Sequence, residues 1–168
     1  MELQEKIESL CGREKFYPKK FSELKRIFQP LVVELEDSGV KILTVCGTNG
    51  KGQTSRYIRE LIISCIDESK TMTWTSPHIF TYNERFDFNG KKVSNKDIEY
   101  SLSTFLSLYP DNNINLSFYE LSFWIYCHLA IKREAKYLVL EVGLGGRLDA
   151  VNLFNANVCV LTSISRDH

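Results

Sequence analysis

KILTVCGTNGKG, residues 41–52, decides the fold. KILTVC is a short β-rich run that stops at a glycine cluster. After it, Tyr57, Ile58, Leu61, Ile62, Cys65 and Ile66 recur at helical spacing. A strand, a glycine loop and an amphipathic helix in that order predict a βα unit whose helix lays one face on a sheet.

The pattern repeats downstream. TMTWT, residues 71–75, reads as a second strand ending at Ser76-Pro77, and the polar, aromatic stretch through Gly90 is loop-like with room for a short hairpin. Ser94 and Asp97 have capping-box spacing ahead of a helix striped by Ile98, Leu102, Phe105 and Leu106. Pro110-Asp111-Asn112-Asn113 reads as a turn. Ser117 and Glu120 repeat the capping spacing before a very apolar helix, Phe118 to about Lys132, expected deep in the core. KYLVLEV (136–142) and NVCVLTSI (157–164) are continuously apolar, as strands buried on both faces are. Strands separated by helices indicate an α/β fold, a parallel sheet with flanking helices. Polar or glycine-rich segments follow each strand: GTNGKG, SPH, GLGGR and SRDH. In open α/β sheets that edge binds ligands.

Composition sets the bounds. The 168 residues suit about one domain, and 43% apolar content with ten Phe and eight Tyr excludes disorder. Lys plus Arg and Asp plus Glu are 21 each, so no global field draws nucleic acid. Five cysteines, an odd number with no C-x-x-C pair, indicate a reducing compartment and buried free thiols. MELQEKIESL at the start is not a secretory signal. The longest uncharged apolar stretch, Leu121 to Ile131, is too short to span a bilayer. A soluble, cytoplasmic protein without membrane or nucleic-acid partners is expected.

Gly47-Thr48-Asn49-Gly50-Lys51-Gly52 has the strand-to-helix context of a phosphate loop. Glycines admit close backbone approach, amides and the helix N-terminus face an anion, and Lys51 adds charge. The Walker spacing is not met: two residues separate Gly47 and Gly50, and Gly52 stands where Ser or Thr is wanted. A glycine turn with an incidental lysine is the alternative. Glu141 interrupts an apolar strand, where an unpaired carboxylate is costly, so a metal or a basic partner is expected.

Together the segments GTNGKG, TSPHIFTYNERFDFNG, SFYELS, YLVLEVGLGGRLDAVN and LTSISRDH resemble, in order and approximate spacing, the folylpolyglutamate synthases and related dihydrofolate synthases. These are ATP-dependent ligases of the muramyl-ligase-like superfamily. The resemblance covers about residues 41–168, and EVGLGGRLDA and SPH followed by YNER are its most specific parts.

The resemblance implies a P-loop NTPase-like domain of the muramyl-ligase central type. Residues 1–40 would be a helical lead-in and 41–168 the N-terminal part of the ATP-binding ligase domain. It implies ATP and Mg2+ as cofactors, and folate or dihydropteroate and L-glutamate as substrates. ATP would phosphorylate a carboxylate and the glutamate amine would displace phosphate. Gly47, Thr48, Asn49, Gly50, Lys51, Gly52, Gln53 and Thr54 would bind ATP. Ser76, Glu141 and His168 would hold magnesium, with Lys51, Glu141 and His168 as the catalytic set. His78, Tyr82, Asn83, Glu84 and Arg85 would face the pterin substrate, Arg85 meeting a carboxylate and Tyr82 or Phe80 a ring. Alternatively, Glu84 and Arg85 pair with each other or with neighbours and order the loop. Gly143, Gly145 and Gly146 would admit the nucleotide, with Arg147 and Asp149 holding their loop.

Three departures from the family pattern are Gln53 for Ser or Thr, Val151 for Thr, and Arg166 for an apolar residue. Gln cannot reproduce a compact hydroxyl near phosphate, although Thr54 could compensate. Family members are much longer and usually monomeric, so negligible ligase activity is expected of these 168 residues alone. A non-catalytic nucleotide- or folate-binding remnant is the rival reading, and a muramyl-peptide ligase a weaker one.

Overall fold

A computed structural model describes residues 2–11, 21–110 and 116–165. The chain runs α1 (Leu3–Leu10), α2 (Phe21–Asp37), β1 (Lys41–Cys46), α3 (Lys51–Cys65) and β2 (Thr71–Trp74). A 3-10 turn at Tyr82–Arg85 leads to β3 (Phe86–Phe88) and β4 (Lys91–Lys92), then α4 (Asn95–Leu108), α5 (Phe118–Lys132) and β5 (Tyr137–Glu141). A second 3-10 turn at Ala150–Leu153 precedes β6 (Val158–Leu161).

The sheet order is β4-β3-β2-β5-β1-β6. β2, β5, β1 and β6 are mutually parallel, while β3 and β4 add an antiparallel hairpin at one edge. The sheet is therefore mixed. A two-residue corner at Asn89 and Gly90, both at positive φ, lets the chain double back there. Register brings the functional strand ends level: Val45 lies opposite Glu141, Trp74 opposite Leu140, and Cys46 opposite Leu161. From β1 the chain crosses toward β2, and from β5 it crosses the other way to β6. The C-terminal ends of these neighbours consequently diverge, leaving the crevice where α/β sheets take ligands.

Both capping signals form real caps. The Asp97 amide donates to Ser94 Oγ at 3.2 Å, and Ser117 and Glu120 close a reciprocal box at the start of α5. α5 is buried nearly all round, as its uniform apolarity predicts. Its Phe123 and Tyr126 pack on Trp74, and α1, α2 and α4 cover it from outside.

Two expectations about burial need correction. β6 is half-exposed, with Val158 48% and Leu161 58% accessible, because it is the sheet edge and no described helix covers it. On α3 only Ser55 is buried; Tyr57 and Leu61 are more than 60% exposed, while Ile58 and Ile62 are half-buried. The apolar stripe is real, but the layer it meets covers only part of it. Cys46, Cys65, Cys127 and Cys159 are free thiols, of which only Cys127 is buried. No helix among the described residues is long and apolar enough to cross a membrane. Asp111, Asn112 and Asn113 of the expected turn lie outside the described residues.

Candidate functional site

The three glycines of the loop do three different jobs. Gly47 has φ +131°, and a side chain there would collide with Thr162 Oγ1, so its bareness serves the segment after β6. Gly50 has φ +83° and caps α3 with open space before it, where glycine supplies a left-handed turn. Gly52 is in helical conformation, and a side chain there would start 3.3 and 3.4 Å from the two Glu141 carboxylate oxygens. The glycine cluster thus lets the first turn of α3 come down onto the end of β5.

Lys51 is folded back beneath the loop, its ammonium donating to Gly47 O at 2.8 Å and Thr48 O at 3.1 Å. Those carbonyls are thereby turned toward a cation, and the first amides of α3 have no intrahelical partner, as at any helix N-terminus able to take an anion. Gln53 is exposed in this first turn; Thr54 is half-buried, its amide bonded to Gly50 O at 2.9 Å.

Glu141 is 5% exposed at the end of β5 and makes no ion pair within 4 Å among the described residues. Its Oε2 accepts the Ser76 amide at 2.9 Å. Burial pushes its pKa up, opposed by that amide and by the charges of Lys51, Arg56 and Arg85. A buried acid flanked by cations but paired with none, and holding lone pairs unspent, fits a divalent cation better than a structural salt bridge. One carboxylate and a serine also suit magnesium, which keeps waters and phosphate oxygens in its shell. No cluster of three His, Cys, Asp or Glu occurs among the described residues. His168 and Arg166 lie outside them.

The Tyr82 to Arg85 segment is built differently from the expectation. Tyr82 is in the core, its hydroxyl donating to Ser122 Oγ at 2.8 Å and its ring against Phe86 and Phe118, so it cannot stack on a ligand. Phe80, 87% exposed, is the available ring. Asn83 ties the turn to Val93 O and Asn95. Glu84 does not pair with Arg85. It gathers the amides of Ile79, Phe80 and Thr81 and the Lys92 ammonium, which together hold its pKa down at about 2. Loop ordering, the other half of that alternative, is what Glu84 does. Arg85 is buried over the Trp74 and Phe118 rings and donates to His78 Nδ1 at 2.9 Å, with no carboxylate partner among the described residues. Burial and the adjacent guanidinium lower the His78 pKa.

Asp149 holds the GLGG loop from inside. Its carboxylate accepts the amides of Gly143, Leu144 and Val151 and the Tyr119 hydroxyl, all at 2.9 to 3.1 Å. Tyr119 also takes the Trp74 indole N–H at 3.3 Å and lies close against Gly143, where a side chain would be 2.8 Å from its ring. Nothing in the sequence marks Tyr119 for this role: within SFYELS it reads as one more residue of the apolar α5. Thr162, Ser163 and Ser165, which bond to the glycine loop, lie in the LTSISRDH segment, but no sequence pattern assigns them that contact beyond the polar tail after an apolar strand.

No protein-family model matches the chain. A dihydrofolate synthase/folylpolyglutamate synthase of Haemophilus influenzae is 34% identical over 129 residues, covering 76% of this chain and 28% of that protein. An Escherichia coli structure in complex with DHPP and ADP superposes with a TM-score of 0.80 at 30% identity, covering 98% of this chain and 38% of that one. A bifunctional folylpolyglutamate synthase/dihydrofolate synthase of Yersinia pestis complexed with AMPPNP and Mn gives 0.76 at 27%, over 94% and 37%. The chain is thus homologous to the curated synthases over about three quarters of its length and spans about 30% of theirs.

Proposed function

We propose that this chain, a homologue of the dihydrofolate/folylpolyglutamate synthases, carries the phosphate- and magnesium-binding part of an ATP-dependent ligase that joins L-glutamate to folate or dihydropteroate. The observation that supports it is Glu141: a buried, unpaired carboxylate brought against the first turn of α3 by Gly52.

In the full reaction a substrate carboxylate oxygen attacks the γ-phosphorus of ATP, and the bond to the β-phosphate bridging oxygen breaks to release ADP. The glutamate amine then attacks the acyl carbon, loses a proton, and phosphate leaves as the amide forms. Activation is necessary because a carboxylate has no leaving group. Here the loop amides and Lys51 would bind phosphate, while Ser76 and Glu141, with His168, would hold the magnesium. The bound cation would neutralise charge developing on the phosphoryl oxygens. Arg85 and His78 would meet a substrate anion and Phe80 its ring; Asn83, Glu84 and Tyr82 would support them from beneath.

The chain alone, spanning about 30% of its relatives, is expected to bind ATP with magnesium and to release no ADP. Calorimetry with ATP and a coupled ADP assay with glutamate and either pterin substrate test this. Absence of magnesium-dependent ATP binding would count against the nucleotide assignment, and glutamate-dependent ADP release would count against the division of labour. The second reading, a non-catalytic binding remnant, draws on Gln53, which puts an exposed amide where a hydroxyl would approach phosphate. A cytoplasmic setting is in keeping with the free thiols, and the absence of a nucleic-acid partner with the zero net charge; a monomeric full-length enzyme without membrane partners remains part of the proposal.

A further inference from the structure

We infer that the segment after β6, Thr162 to Ser165, is a strap that sets the phosphate loop, and that Thr162 and Ser163 are positioning residues for triphosphate binding. The inference rests on the phosphate-binding reading of residues 47–54.

The strap begins as a continuation of the β1–β6 ladder, the Thr162 amide donating to Cys46 O at 2.9 Å. Beyond that point both chains would separate in an ordinary parallel pair. Here the strap follows the loop instead. The Thr162 hydroxyl lies 2.7 Å from Asn49 O and 3.2 Å from Cys46 O, so its one proton is shared between two loop carbonyls. Ser163 accepts the Thr48 amide on its carbonyl at 2.7 Å and the Asn49 amide on its hydroxyl at 3.3 Å. The Thr48 hydroxyl closes the grip by accepting the Ser165 amide at 2.9 Å and donating to Ser165 O at 3.1 Å.

Taken with Lys51, the strap accounts for every carbonyl from 46 to 49. Gly47 O and Thr48 O accept the Lys51 ammonium, and Cys46 O and Asn49 O accept Thr162. Carbonyl oxygens facing a phosphate repel it, so a loop that binds phosphate needs them engaged elsewhere. The amides are sorted by the same contacts. Those of Thr48 and Asn49 are spent on Ser163, whereas the first-turn amides of α3 have no intrahelical partner. The strap therefore selects which donors remain for the anion and fixes their direction. It also explains why residue 47 must be glycine, since the Thr162 hydroxyl occupies the place of its side chain.

Thr162→Val, which keeps the branched shape and removes the hydroxyl, tests this on the chain as it stands, with magnesium and inorganic tripolyphosphate as the probe. Amide hydrogen exchange and calorimetric affinity are read together. Exchange at Thr48 and Asn49 is expected to quicken, and tripolyphosphate affinity to fall about tenfold, the scale of losing a hydrogen bond or two. Thr162→Ser should restore both. Ser163→Ala, which removes the contact to the Asn49 amide, should act in the same direction and carries the test if Thr162→Val does not fold. Affinity equal to that of the unsubstituted chain overturns the inference alone. So does a loss accompanied by faster exchange throughout β5, which marks general destabilisation. If the unsubstituted chain binds no tripolyphosphate, the ligase reading fails and the strap's role fails with it.

Discussion

Gly52 and Glu141 meet so closely that a methyl group on the glycine would sit 3.3 Å from one carboxylate oxygen and 3.4 Å from the other. The helix that begins at the glycine loop and the acid that ends β5 are therefore in direct contact. Gly52→Ala is expected to press on the carboxylate, which must give by a few tenths of an ångström. The helix itself gains from alanine by up to about 1 kcal/mol. Magnesium-dependent nucleotide affinity should fall roughly tenfold, the scale on which small misplacements in such sites are felt, with little change in thermal stability. Calorimetry beside a melting curve separates the two effects.

Glu141→Gln should make the metal-free chain more stable at neutral pH. Burial raises the Glu141 pKa, so between its ordinary value near 4.5 and the raised one the folded state holds more protons than the unfolded. Stability contributed by that proton is lost as pH rises through the folded pKa. Glutamine keeps an acceptor for the Ser76 amide without the buried charge. Melting temperatures of the two proteins should lie close near pH 4 and diverge by pH 7, the variant higher.

How much of this was legible beforehand follows from the kind of signal involved. The βα order, the caps at Ser94 and Ser117 and the depth of α5 depend on local spacing, and the structure realises them. The exposure of Leu61 and Leu161 depends on which layers cover them, which no local pattern states. At the site, Glu141 was visible as a charge in an apolar strand. Its contact with Gly52 was not, because it arises from the register of β1 on β5. Tyr82 misled for a related reason: an aromatic in a polar loop looks available, but the 3-10 turn points it inward to Ser122. Chemistry was readable where a residue conflicted with its surroundings. Supporting contacts between distant segments, such as Thr162 on the loop, left no such mark.

Gly47→Ala and Gly50→Ala should differ in cost. Both glycines have positive φ, worth about 1 to 2 kcal/mol against alanine. Only Gly47 adds a collision, with Thr162 Oγ1 and with the Ser163 backbone at 2.8 and 2.9 Å. Denaturant titration should find Gly50→Ala near the conformational cost and Gly47→Ala at least about 2 kcal/mol beyond it.

Acid should loosen the loop that Glu84 organises. Its folded pKa of about 2 lies below the ordinary 4.5, so the stability it contributes is present above that ordinary value and lost as pH falls through about 2. Exchange protection of the Ile79 and Thr81 amides should decline across that window, whereas Glu84→Gln should show reduced protection already at pH 5 and little further change.

Asp149→Ala should destabilise the chain by about 3 kcal/mol, since it strands the buried Val151 amide, the Tyr119 hydroxyl and the half-buried Gly143 amide and releases the more exposed Leu144 amide. Chemical denaturation gives the value directly, and a cost under about 1 kcal/mol would show that Asp149 is not what holds the loop.

The central claim, that the loop and Glu141 form one magnesium–triphosphate site, is tested most directly by titrating ATP into the chain with and without magnesium, for the unsubstituted protein and for Glu141→Gln. The account predicts that magnesium strengthens binding by about tenfold or more in the first and has little effect in the second. Equal magnesium dependence in both proteins, or none in either, would contradict it.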